Sequence, residues 1–166
     1  KAYEAIEIAD MILFVVDKKF GISPFDKEIA SLIRKSNKEV IMVINKIDVK
    51  TLEGTTVFEE SGFNEKIEVS AEHNLGIDRL KKLIFSKVKE EEIFFETNIP
   101  KICILGKPNV GKSSTINSIS NQKKMLVSNV PGTTIDAIDT KVSYKNKEYM
   151  FIDTAGIRKK SKTISK

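Results

Sequence analysis

Two short stretches of this chain carry residue types at spacings that can do chemistry. The first, Gly106-Lys107-Pro108-Asn109-Val110-Gly111-Lys112-Ser113, fits G-x-x-x-x-G-K-[S/T]. In such a loop the backbone N–H groups and a helix N-terminus face phosphates, and the glycines permit approaches that a side chain would block. Lys112 would supply charge to β- and γ-phosphates, and the Ser113 hydroxyl would bind magnesium. The alternative is a glycine-containing turn that matches by chance. Against it stand the apolar run Ile102-Cys103-Ile104-Leu105 before the loop and the helical stretch Ser113–Ser120 after it. The second stretch, Asn45-Lys46-Ile47-Asp48, fits N-K-x-D. A carboxylate can accept two parallel hydrogen bonds from guanine N1–H and the N2 amine, which adenine does not offer. Asp48 would therefore choose the base, because the wrong base leaves the carboxylate unpaired. Asn45 would tie the base to neighbouring loops, and the aliphatic stem of Lys46 would cover a ring face.

Three weaker elements fit the same site. Ser70-Ala71 fits a short S-A element whose backbone N–H meets guanine O6. Asp153-Thr154-Ala155-Gly156 fits D-x-x-G, placing a carboxylate one water from magnesium and the Gly156 N–H on the γ-phosphate. Thr134, with Thr133 the less favoured candidate, would close over both from the loop that holds Pro131-Gly132. Together the five elements describe a site for GTP or GDP with Mg2+. A small-molecule kinase would share the phosphate loop but not N-K-x-D or D-T-A-G.

The surrounding pattern supplies elements to position these residues. Lys1–Ala9 has apolar residues at helical spacing, and Met11–Val16 is a continuous apolar run ending at Asp17, as in a strand covered on both faces. Ser23-Pro24-Phe25-Asp26 is a helix-start signature, with the helix running to about Lys35. Glu39–Ile44 and Lys66–Val69 read as strands. Ile77, Leu80, Leu83, Ile84 and Val88 form the apolar stripe of another helix. Residues 51–64 read as irregular or weakly helical, and 89–99 as an acidic linker before Pro100. Asn121–Asp139 reads as a loop with little structure of its own. Lys141–Tyr144 and Glu148–Ile152 read as a hairpin. Alternating strands and helices, with motifs at strand ends, predict an α/β fold with a mostly parallel sheet flanked by helices.

Composition sets bounds on function. The 166 residues carry a net charge of +5, with 40% hydrophobic and 31% charged residues, an ordinary balance for a globular protein. No apolar stretch approaches the roughly 20 residues of a membrane span, so no membrane association is expected. Cys103 and His73 each stand alone as residue types, which argues against a disulfide or a Cys/His zinc site and fits a reducing cytoplasm. Residues 1–96 hold 15 basic and 19 acidic residues, whereas 97–166 hold 13 and 4. The basic half suggests contact with RNA.

With these residues in hand, the chain resembles the EngA/Der family of bacterial GTPases with two tandem G domains. Phe14-Val15-Val16-Asp17, Asn45–Asp48 and Ser70-Ala71-Glu72-His73 match the second half of a first G domain. Gly106–Ser114, 131–140 and Asp153-Thr154-Ala155-Gly156-Ile157-Arg158-Lys159 match the first half of a second. The resemblance implies a P-loop GTPase fold and GTP hydrolysis. It also implies a role in assembly of the 50S ribosomal subunit through ribosomal RNA, with no DNA contact. Ile157 occupies the position where many such enzymes carry a water-orienting Gln, so another group must orient water. Asn109 could help hold K+ near the phosphates, a cation that would offset developing charge.

The motif order is unusual, because N-K-x-D and S-A precede the phosphate loop. One expectation is an internal fragment: 1–88 the end of a first G domain, 89–99 a linker, 100–166 the start of a second. On it, residues 45–48 serve a tandem neighbour. The other is a circularly permuted GTPase complete in this chain. A span of about eleven residues reaches at most ~35–40 Å, enough for the halves to close on each other.

Overall fold

The computed structural model describes residues 2–50, 56–59, 61–88, 99–120, 126–129, 139–145 and 147–153. The seven-residue run Met11–Asp17 (β1) is buried at every position, as expected of a strand with helices on both sides. Its alternation sorts side chains to two cores. Met11, Leu13 and Val15 face one layer, and Ile12, Phe14 and Val16 the other.

β1 pairs in parallel with Glu39–Asn45 (β2) on one side and with Lys101–Leu105 (β4) on the other. Lys66–Glu68 (β3) pairs in parallel with β2, and Lys147–Asp153 (β7) with β4. Asp139–Tyr144 (β6) and Leu126–Asn129 (β5) continue the sheet in antiparallel fashion. The order is β3-β2-β1-β4-β7-β6-β5. The seam between the two halves is the β1–β4 pairing, in which Met11 lies opposite Ile102 and Phe14 opposite Leu105. The halves therefore do close on each other in this chain.

Ala2–Ile8 (α1) and Pro24–Lys35 (α2) cover one face with Ala5, Ile6, Ala30 and Ile33, joined by Phe58 from the short Thr56–Glu59 (α3). Ile77–Lys87 (α4) and Lys112–Ser120 (α5) cover the other with Leu80, Ile84, Ile116 and Ile119. The start of α2 follows from its sequence. Ser23 Oγ accepts the Asp26 N–H (3.2 Å) and the Asp26 carboxylate accepts the Ser23 N–H (2.9 Å), a reciprocal cap in which the N-terminal serine is worth about 1 kcal/mol. At the far end of α4, Lys87 bonds Glu39 (2.6 Å) and Glu65 (3.0 Å), fastening the helix to the entries of β2 and β3. Phe85 stacks on Tyr144, with centroids 4.2 Å apart, and tilts against Tyr149 at 4.4 Å. Those contacts bind α4 from the first half to the hairpin of the second.

One expectation needs correction. Residues 121–139 were expected to form a loop with little structure of their own, yet Leu126–Asn129 is a strand, with Leu126 opposite Ser143 and Asn129 opposite Thr140. The partner β6 begins at Asp139, two residues before the expected Lys141. A four-residue edge strand is stabilised by pairing to a neighbour already in place, and that leaves little local periodicity to read. The linker 89–98 lies outside the described residues.

Candidate functional site

The five mutually parallel strands all end on one edge of the sheet. Asp17 lies opposite Asn45, Ile44 opposite Glu68, and Ile104 opposite Asp153. Residues 45–48, 70–71, the start of the 106–113 loop and the end of β7 thus share one rim, where ligands of open α/β sheets bind.

The phosphate-type loop turns on two glycines with positive φ. Gly106 (φ 149°) lies against β1, so a Cβ there would stand 2.2 Å from the Val15 carbonyl oxygen. Gly111 (φ 100°) lies against Asn45, with an added Cβ 2.1 Å from Nδ2. Asn109 adopts φ 64°, a conformation asparagine tolerates better than most residues. Val110 between them is buried in the core. The loop wraps its own lysine: Lys112 Nζ donates to the Gly106 and Lys107 carbonyls, both at 2.8 Å. Lys112 opens α5, whose N-terminal end carries partial positive charge. Thr115 secures the first turn by donating both its N–H and its hydroxyl to the Gly111 carbonyl at 2.8 Å.

Asn45 joins this loop to the second motif. Buried at the end of β2, it donates from Nδ2 to the Val110 carbonyl (2.8 Å) and accepts the Ala71 N–H on Oδ1 (3.0 Å). Three segments separated by 26 and 65 residues thus meet on one amide. Lys46 (φ 67°) donates Nζ to the Asn109 carbonyl (2.9 Å) and pairs with Asp17 (2.7 Å). Ser118 on α5 donates to the Ala71 carbonyl, and Ile47 N–H to the Val69 carbonyl at 3.2 Å. Ser70 is pinned by paired backbone bonds with Leu75 (2.9 and 3.0 Å). Asp48 lies beyond these contacts, exposed to solvent, with His73 Nε2 3.8 Å from its carboxylate. Its pKa is held below the ordinary carboxylate value, chiefly by a hydrogen bond from the Ser70 side chain. Its own backbone, His73 and Lys46 add to this, and partial desolvation opposes it. An anionic carboxylate at the rim can accept two donors from a flat base edge.

Asn45, Lys46, Ile47, Asp48, Ser70, Ala71, the whole of 106–113 and Asp153 therefore stand at one strand-end rim. Thr133, Thr134, Thr154, Ala155, Gly156 and Ile157 lie outside the described residues. Two participants were missed by motif reading. Asp17 anchors Lys46; its place as the first polar residue after an apolar run and its part in the Phe14-Val15-Val16-Asp17 match gave it no role. Ser118 lies in a helix of low amphipathic contrast and gave no signal. Among the described residues no three His, Cys, Asp or Glu side chains form a metal-binding group. A divalent cation here would take phosphate and hydroxyl oxygens, a donor set that suits magnesium, with Ser113 in the first turn of α5.

Fold and rim together define a P-loop α/β protein of the GTPase type, its sheet mostly parallel and flanked by helices. A family described as 50S ribosome-binding GTPase matches residues 1–46 and 101–166. The chain belongs to that family. It is 47% identical over 160 residues to GTPase Der of Finegoldia magna, covering 95% of this chain and 36% of that protein. GTPase Der of Thermoanaerobacter pseudethanolicus gives the same identity and coverage. GTPase Der of Acetivibrio thermocellus is 46% identical over 166 residues, covering 98% of this chain and 38% of the relative. These relatives bear out the EngA/Der resemblance, and the chain spans little more than a third of their length. The crystal structure of YjeQ from Thermotoga maritima superposes with a TM-score of 0.55 over 87% of this chain and 47% of that one. At 22% identity this likeness speaks for the fold alone.

Proposed function

We propose that this chain binds GTP through the rim described above, and that the protein to which it belongs hydrolyses GTP to GDP and phosphate. The observation that carries the reading is the Asn45 amide, which bonds the phosphate loop with one end and the Ser70-Ala71 segment with the other. Asn45, Lys46, Asp48, Ser70 and Ala71 would hold the guanine. Gly106–Ser113 and Asp153–Ile157 would line the phosphates, with Lys112, Thr134, Asp153 and Gly156 acting on the transferred group. Magnesium, held by Ser113 and Thr134 and through water by Asp153, would supply charge neutralisation when bound.

Calorimetric titration tests this. GTP should bind and ATP should not, and Lys112→Ala should weaken GTP by about a hundredfold or more, since bonds to charged groups contribute about 1.5–3 kcal/mol each. Equal affinity for ATP and GTP would reject the guanine assignment.

The motif order fits the junction of tandem G domains, with 1–88 and 100–166 as complementary halves joined by 89–99. In a protein holding both neighbours each half would have its own complement, whereas here they complete each other. The family description, 50S ribosome-binding GTPase, supports contact with the large ribosomal subunit, and the proposal extends this to a role in its biogenesis, in the cytoplasm, through ribosomal RNA. Co-sedimentation with the 50S subunit in GTP but not in GDP is its readout. Asn109, exposed in the loop, would help hold K+, and hydrolysis at equal rates in potassium and sodium would remove that assignment.

A further inference from the structure

Asp17 closes β1 opposite Asn45 in the strand register, and its carboxylate serves two neighbours. Oδ1 accepts the Lys19 N–H (2.8 Å), which shapes the turn leaving β1. Oδ2 pairs with Lys46 Nζ at 2.7 Å. The pair is lopsided, because the Asp17 side chain is 2% exposed and that of Lys46 is 36% exposed. All of these residues belong to 1–88, so the linkage does not depend on which phosphate loop that half meets.

The turn does not account for the charge. An uncharged amide oxygen also accepts a backbone N–H, and the turn has further ties of its own. Lys18 N–H donates to the Asn45 carbonyl (2.9 Å), and Lys18 Nζ pairs with Glu68 (3.1 Å). A carboxylate taken out of water is costly unless it is paired and hydrogen-bonded. What the charge supplies here is a fixed position for the Lys46 ammonium. Lys46 carries a long, flexible stem on a backbone at φ 67°. Left untethered, that stem has to be ordered each time a base arrives, at a cost in rotamer entropy. Tethered, it is ordered beforehand.

We propose that Asp17 is a positioning residue for the guanine site, holding the Lys46 stem in place over the base and so lengthening the stay of the bound nucleotide. Its effect is exerted through Lys46 and not by contact with the nucleotide. The inference rests on the proposed assignment of residues 45–48 to guanine and adds to it what governs release.

Stopped-flow release of GDP bearing a fluorescent N-methylanthraniloyl group, chased with unlabelled GDP, tests this on the full chain. Asp17→Asn keeps an acceptor for the Lys19 N–H and removes the charge. It should release the probe about three- to tenfold faster, the scale of ordering one long side chain at an interface. Association should stay within about twofold of the parent. The melting temperature should fall by less than about 3 °C, because the freed ammonium is hydrated at the surface. Lys46→Met supplies the second arm. In that background Asp17→Asn should change release by less than about twofold, since Asp17 then has nothing left to position. A carboxylate that matters only for fold stability gives the same acceleration in both backgrounds, and that result overturns the proposal. Should the unpaired buried carboxylate of Lys46→Met prevent folding, the split between release and association decides alone. A loss confined to release then supports the proposal, and unchanged release overturns it. A parent chain that binds the adenine counterpart as tightly as the GDP probe rejects the guanine site, and the positioning role with it. A parent that prefers GDP, with Asp17→Asn releasing it unaltered, rejects the positioning role alone.

Discussion

Gly106→Ala is expected to destabilise the chain by about 3–5 kcal/mol, combining strain at a positive φ with a backbone clash. The added Cβ would stand 2.2 Å from the Val15 carbonyl oxygen and 3.2 Å from the Val15 carbonyl carbon. Neither atom belongs to a flexible side chain. Relief requires β1 and β4 to separate, and that pair is the seam between the halves. A loss of this size is a large share of the roughly 5–15 kcal/mol by which domains are stable and lowers the melting temperature by roughly 10 °C or more. Gly62→Ala is the control. Its φ of 74° is also positive, but the nearest atom to a new Cβ is Arg34 Nη1 at 3.9 Å, with open space otherwise. It should cost only about 1 kcal/mol. Urea denaturation of both variants, with similar losses, would show that the seam approach is not what requires glycine at 106.

Asp48→Asn is expected to lower GTP affinity about 10²–10⁴-fold, the equivalent of two hydrogen bonds to a charged acceptor. It should also bring a new preference. The amide keeps one acceptor for N1–H and turns a donor toward position 2, where xanthine carries a carbonyl. Xanthosine triphosphate should therefore bind the variant better than GTP does. Asp48→Ala should lose both, which separates recognition from loss of fold. The pH dependence has a definite sign. The carboxylate's pKa is lowered, mainly by the Ser70 hydroxyl. Its contribution to guanine binding is therefore present above the ordinary carboxylate value and is lost only as pH falls through the lowered one. Ser70→Ala should move that acid limb upward in a plot of GTP affinity against pH. An unmoved limb would assign the shift to another group.

How much of this was legible in the sequence depends on the range of the forces involved. Met11–Asp17 reads as a doubly covered strand because every residue is apolar until the last. Ser23-Pro24-Phe25-Asp26 reads as a helix start because its cap closes within three residues. The rim contacts lie at the other extreme. The bond from Asn45 to Val110 spans 65 residues, and no local pattern indicates that the end of β2 will meet a loop carried by β4. Motif identity pointed to both partners, but motif order argued for separating them. β5 escaped for the same reason, since its stability comes from β6 and not from its own residues.

The seam has a consequence for how the chain folds. Asp10 and Lys101, which bond across it at 2.6 Å, are 91 residues apart. Bringing them together requires closing a long loop, a cost in chain entropy that is met before any contact rewards it. Each half can assemble its own neighbouring strands first, β1 with β2 and β3, and β4 with the hairpin. The rim exists only after the two have joined. A nucleotide that touches both halves binds only the joined state, so it raises the stability of the seam by mass action as its concentration exceeds its dissociation constant. The same ligand that the rim would recognise would thus act as a late clamp on the architecture that recognises it.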